Sequence, residues 1–276
     1  MIRLSPLARL GSALLVAAGL LATAERAAAD TCRQALALGL DVSGSVGAEE
    51  WQLQIEGLAQ ALDDPSVRKA FFALEGAPVH LMVFEWAGDS APRDLVTWRA
   101  ITTPRDLEDV TTQLRAQTRI PHALGTAMGQ AMLYGAQKLS EVENCWSYTL
   151  DISADGPSNV GPRPQDVREM PALGQITVNG LAVARTVSQA DPDAAARDLA
   201  QLHRYFHGAV IHGFGAFVEQ ATSYSDYPNA MRRKLLKELE TLAIGQLDNR
   251  PDHAHAPRSQ TSQANTTKAG EMPAFR

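Results

Sequence analysis

Residues 35–40, Ala-Leu-Ala-Leu-Gly-Leu, are apolar at every position, and the run ends at once in Asp41-Val42-Ser43-Gly44-Ser45. A strand with no polar alternation is buried on both faces, the position of a central strand in a parallel sheet covered by helices on either side. The next segment fits that position. "SVGAEEWQLQIEGLAQAL" places Trp51, Ile55, Leu58 and Leu62 at helical spacing. Strand-like segments then alternate with helical ones to the end of the apolar patterning. "PVHLMVFEWAG" is a second strand, "LVTWRAI" (95–101) an edge strand with one solvated face, "WSYTLDIS" (146–153) a further strand, "QITVNGLAV" (175–183) another, and "GAVIHGF" (208–214) a short one. Between them lie helices: one from Pro104 with Thr103 as N-cap, one at 124–139, "DAAARDLAQLHRYF", and a final helix within 223–245, capped by Ser225 or Asp226. The expected fold is α/β, a doubly wound, mostly parallel sheet with helices on both faces.

The ends of the chain read differently. Residues 1–29 carry Arg3 and Arg9, an apolar run from Leu10 to about Ala24, and Ala27-Ala28-Ala29. This is the pattern of a secretory signal peptide, too short in its apolar part for a comfortable membrane span. The expected organisation is therefore a leader at 1–29, one domain at 30–245, and a polar, disordered tail at 246–276, with His253 and His255 given no metal role. Removal of the leader takes Lys+Arg from 25 to 22 and Asp+Glu from 31 to 30, a formal net charge of −8. A mildly acidic exported protein, periplasmic or secreted, is a poor match for nucleic acid or anionic lipid, and no stable membrane insertion is expected. Cys32 and Cys145 both remain, an even count that suits either a disulfide in an oxidising compartment or two buried thiols.

In doubly wound sheets ligands sit beyond the carboxyl ends of the strands. There Asp41, Ser43 and Ser45 offer a carboxylate and two hydroxyls, hard oxygen donors suited to Mg²⁺, Mn²⁺ or Ca²⁺ and poorly suited to Zn²⁺. Taken alone, such residues are also ordinary turn and cap formers.

The D-x-S-x-S pattern resembles the metal-ion-dependent adhesion site of von Willebrand factor type A domains. That resemblance implies two further ligands. Thr126 in "LGTAMGQAM" stands where the family places a threonine, and Asp155 in "LDISADGPSN" where it places an aspartate followed by glycine. "FEWAG", "ITVNGLAV", "HGFGAFVEQA" and "MRRKLLKEL" are also similar to recurrent segments of a bacterial family of exported von Willebrand A-like proteins of unknown function. The resemblance implies a metal set of Asp41, Ser43, Ser45, Thr126 and Asp155, and a partner protein whose Asp or Glu completes the ion's coordination. It also makes the first and fourth strands parallel neighbours. Cys32 lies nine residues before Asp41 and Cys145 ten before Asp155, so the two cysteines fall at one height and a Cys32–Cys145 disulfide is expected.

Glu85, ending the second strand, and His122, four residues before Thr126, are candidates to stand just behind the ion. The competing readings are a surface acid and a solvated loop histidine. Asn159 and Asn179 are expected to tie loops together. The alternative function is a metal-dependent hydrolase using the same ion, with His122 as base. No G-x-S-x-G elbow, H-E-x-x-H motif or carboxylate-rich two-metal cluster accompanies it, so the expectation is a non-enzymatic binding module. A two-lobed small-molecule receptor would need a longer chain.

Overall fold

A computed structural model describes residues 32–185 and 192–247. The expected leader, and the tail beyond Leu247 with His253 and His255, lie outside the described residues. The strands are β1 (Cys32–Asp41), β2 (Val79–Trp86), β3 (Arg93–Ile101), β4 (Cys145–Ala154), β5 (Ile176–Val183) and β6 (Val218–Ala221). The helices are α1 (Ala48–Asp63), α2 (Pro65–Phe71), α3 (Pro104–Arg115), α4 (Met128–Leu139), α5 (Pro164–Val167), α6 (Pro192–Tyr205) and α7 (Tyr227–Leu247). The sheet runs β3-β2-β1-β4-β5-β6 and is parallel except for the antiparallel edge strand β3. Successive strands are laid down to one side of β1 and then, from β4, to the other. The carboxyl ends of β1 and β4 therefore flank the point where strand order reverses.

β1 is buried along its whole length, and its two faces differ in volume. Leu36, Leu38 and Leu40 meet Trp51, Ile55 and Leu58 of α1, with α3 and α7 beside it. Ala35 and Ala37 meet α4 through Met128, Ala131 and Met132, with Phe206 at the end of α6 nearby. Gly39 continues the small face, and a Cβ there would lie 2.6 Å from the Phe84 ring. α3 starts as its sequence predicts: Thr103 is the N-cap, Pro104 the first residue, and Asp106 accepts from the Thr103 backbone N–H at 2.7 Å.

The last quarter of the domain departs from the pattern read in the sequence. "GAVIHGF" is not a strand. Phe206–Val210 form a π-helical turn that extends α6, buries Phe206 and Val210, and leaves only an isolated bridge between His212 and Val178. The edge strand is Val218–Ala221, four residues with a half-buried, largely polar surface. At the start of α7, Asp226 turns its carboxylate back to accept from the Thr222 N–H at 3.1 Å. Ser223 accepts from the Asp226 N–H at 3.2 Å to close a 3₁₀ turn at 224–226, and α7 follows directly and runs two residues past the expected boundary, to Leu247. α2 was not foreshadowed by apolar periodicity; Asp64 caps it, accepting from the Ser66 N–H at 2.8 Å.

Buried charge fixes α7 to the sheet. Lys234 is fully buried, with Nζ 3.0 Å from Asp151 of β4 and 2.8 Å from Glu238 one turn along α7. Asn179 of β5 donates to Glu238 at 2.8 Å and accepts from the Phe217 N–H at 3.1 Å, the loop-tying role expected of it. At the amino end of the sheet Cys32 and Cys145 are in register and joined by a disulfide, with Cα atoms 4.4 Å apart.

Candidate metal centre

β1 delivers Asp41 to the carboxyl edge of the sheet with its side chain 1% exposed. The chain then turns tightly. The Ser43 N–H donates to Asp41 Oδ1 at 2.8 Å, the Val46 N–H to the Ser43 carbonyl at 2.9 Å, and Gln54 of α1 to the Asp41 carbonyl at 3.0 Å. This turn places Ser43 Oγ and Ser45 Oγ 3.4 Å apart. Thr126 Oγ1 donates to Ser43 Oγ at 3.3 Å, and Ser45 Oγ donates to Asp155 Oδ1 at 2.6 Å. The five residues singled out in the sequence, from three separate segments, thus form one continuous cluster.

Two glycines make the approach of these segments possible. A Cβ on Gly44, between the two serines, would lie 3.0 Å from the Leu124 carbonyl oxygen. That oxygen accepts from the Gly44 N–H at 3.0 Å and ties the Thr126 loop to the β1 turn. A Cβ on Gly125 would lie 2.7 Å from Val160. Asn159 closes the other side: its Oδ1 accepts from the Thr126 N–H and its own N–H donates to the Thr126 carbonyl, both at 2.9 Å. The expected loop-tying role of Asn159 is therefore carried out on a candidate ligand.

The electrostatics of the cluster are unfavourable as it stands. Burial pushes the Asp41 carboxyl up to about 7, the charge of Asp155 adds to the rise, and the Ser43 N–H offsets part of it. Asp155 is also raised by burial, against the pull of Ser45, Arg185 and Tyr224. Asp41 Oδ2 is buried with no hydrogen-bond partner. A buried carboxylate oxygen without a donor is costly, and a cation between the two aspartates would remove the cost. The donor set, two carboxylates and three hydroxyls, fits a hard divalent ion. Among the described residues no three His, Cys, Asp or Glu side chains gather as a metal cluster, so hydroxyls must supply much of any coordination here.

Glu85 and His122 occupy a neighbouring position, and neither a surface acid nor a solvated loop histidine describes them. Glu85 is fully buried, accepting from Arg93 Nε at 2.6 Å and from the Trp51 indole at 3.2 Å. The His122 side chain is 5% exposed, with Nε2 2.8 Å from Glu85 Oε1. Among the described residues, none of their hydrogen bonds reaches the five clustered side chains. The pair instead anchors the loop leading to Thr126, helped by Arg93 donating to the Thr118 carbonyl at 3.2 Å. Two residues at the site were not anticipated. Tyr224 donates to Asp155 Oδ2 at 3.3 Å, and Arg185 donates to the Asp155 carbonyl at 3.0 Å, with Nε 3.7 Å from Oδ1. Arg185 had one available signal: it lies just past β5, at the carboxyl edge where ligands gather.

The fold is shared with von Willebrand A proteins. Proximal thread matrix protein 1 (PTMP1) from the mussel byssus matches with a TM-score of 0.51 and 14% identity, over 76% of this chain and 48% of that one. A second PTMP1 structure, with the same figures, has a zinc-occupied MIDAS motif. The pilus adhesin SpaC from Lactobacillus rhamnosus GG matches with a TM-score of 0.50 and 13% identity, over 77% of this chain and 31% of that one. The chain thus spans about half the length of PTMP1 and about a third of SpaC. At such identities the likeness concerns the fold alone. No curated protein sequence matches the chain. A family model does match, over residues 31–243, and the chain belongs to that family, described as "Protein of unknown function (DUF1194)".

Proposed function

We propose that the protein is an exported interaction module in which Asp41, Ser43, Ser45, Thr126 and Asp155 hold a divalent cation of the Mg²⁺ type, Mn²⁺ and Ca²⁺ being the alternatives, and thereby capture an Asp or Glu of a partner protein. The observation that carries this reading is the meeting of three hydroxyls with two buried carboxylates, one of which has an oxygen with no donor. When bound, the ion supplies an electrophilic coordination position that a carboxylate oxygen can fill. The chain's own residues do the rest. Ser43 N–H orients Asp41, Ser45 and Tyr224 orient Asp155, and Asn159 holds the Thr126 backbone.

The Cys32–Cys145 disulfide supports an oxidising compartment, and no described helix is long and apolar enough to cross a membrane. The hydrolase reading gains nothing from His122, whose Nε2 is engaged by Glu85 inside the fold. Isothermal titration of the purified protein with Mg²⁺, Mn²⁺ and Ca²⁺ tests the proposal. One site is expected, and Asp41→Ala, with an unchanged circular dichroism spectrum, should abolish it. Undiminished binding in that variant overturns the assignment.

A further inference from the structure

Apolar side chains scattered singly over a surface need no explanation, but two here sit against the backbone that carries the clustered hydroxyls. Leu124 is 81% exposed, and its Cβ and Cδ2 both lie 3.1 Å from where a Cβ of Gly44 would be, above the turn between Ser43 and Ser45. Val160, 43% exposed, packs on Gly125, the residue before Thr126. Ile120, at 37%, lies on the same loop as Leu124. The other side of the cluster carries positive charge: the Arg185 side chain is 56% exposed and reaches across Gly156 to Asp155. The approach to the site therefore has a basic edge and an apolar shoulder.

We infer that the occupant is a segment in which an Asp or Glu stands directly beside a Leu, Ile, Val, Met or Phe, the carboxylate directed to the ion and Arg185 and the apolar side chain received by Leu124 and Val160. This rests on the metal-site reading and adds a specificity to it. Charge complementarity selects the acid, because the half-exposed Arg185 guanidinium borders Asp155, one of the residues that would hold the ion. The shoulder selects its neighbour, because Leu124, 81% exposed beside the Ser43–Ser45 turn, gains free energy from a partner side chain that removes it from water.

The test uses fluorescence anisotropy with labelled nonapeptides of Gly-Ser background, each with one central Asp, flanked on both sides either by Leu or by Ser. In Mg²⁺ or Mn²⁺ the Leu-flanked peptide should bind about tenfold more tightly, the effect of burying roughly half a leucine side chain on each partner. In the Leu124→Ser/Val160→Ser double variant the preference should fall below about threefold, while the ion affinity measured by calorimetry stays at the parent value. Equal affinity of the two peptides for the parent protein overturns the inference, as does a preference that survives in the double variant. So does ion-dependent self-association, read by light scattering, that neither peptide reverses, since the shoulder would then belong to a second copy of the chain. Binding of the Leu-flanked peptide with undiminished affinity in EDTA would sink the metal-site reading and leave the apolar shoulder standing, so the two failures are distinguishable.

Discussion

Replacing Asp41 by Asn should stabilise the ion-free protein, and by an amount that grows with pH. In the unfolded chain this carboxyl ionises near its ordinary value of 3.8, whereas burial and the charge of Asp155 hold it up to about 7 in the fold. Between those values the folded state keeps a proton that the unfolded state has lost. Stability contributed by the protonated form is present at low pH and is lost as pH rises towards 7, after which the loss is complete. At about 1.36 kcal/mol per pH unit, the interval amounts to about 4 kcal/mol. Asp41 is 1% exposed, so solvent screening does not reduce this. Asn keeps an oxygen to accept the Ser43 N–H and carries no charge. Urea denaturation in EDTA, followed by tryptophan fluorescence, should therefore show the gap between Asp41→Asn and parent widening by about 4 kcal/mol from about pH 4 to about pH 8. Asp151, also raised to about 7, contributes equally to both proteins and cancels. Saturating Mg²⁺ should stabilise the parent at about pH 8 and leave the variant unmoved. A gap that stays flat across this pH range would show that Asp41 is not held in an unfavourable charged state, and the physical case for a cation would lose its main support.

Reducing the Cys32–Cys145 bridge, or replacing both residues with Ala, should cost up to about 4–5 kcal/mol, because it closes a loop spanning 113 residues, while ion affinity at the far edge of the sheet stays within about twofold. Denaturant midpoints and calorimetry read the two effects separately. Lys234→Met should cost about 3–5 kcal/mol in the same denaturation assay, since it leaves Asp151 and Glu238 buried without their cation. A loss below about 1 kcal/mol would mean that the cluster is reached by water.

Much of what was local in its physics could be read from the sequence. β1 announced itself by an unbroken apolar run and α3 by Thr103 and Pro104, whereas Thr126 and Asp155 were set beside Asp41, Ser43 and Ser45 only by the resemblance to von Willebrand A domains. The Cys32–Cys145 pairing followed once that resemblance made β1 and β4 neighbours, because the two residues then stand at one height. Signals that depend on distant partners were not legible. Nothing near Glu85 in sequence reveals that Trp51, Arg93 and His122 enclose it, so it reads as a surface acid. Lys234 and Glu238 look like an ordinary solvated helix pair until Asp151 is placed beneath them. "GAVIHGF" has strand-like composition, but burying Phe206 against Gly180 of β5 favours continuing α6 into a π turn, and the strand forms instead from four residues too short and too polar to show a period. α2 did have a local signal, Asp64 followed by Pro65, without enough length to show periodicity.

The disulfide also decides how the domain would carry a pull. β1 lies between β2 and β4, parallel to both, so tension entering at Cys32 along the strand axis loads two ladders of hydrogen bonds in shear, all at once instead of one by one. Cys32 is the first residue of β1 and Cys145 the first of β4. The covalent link passes part of that load straight into the neighbouring strand. With the bridge reduced, force has to draw out a single strand. With it formed, β1 and β4 must slide together past β2 and β5, so the thiol state of one cysteine pair selects which hydrogen-bond ladders carry the load.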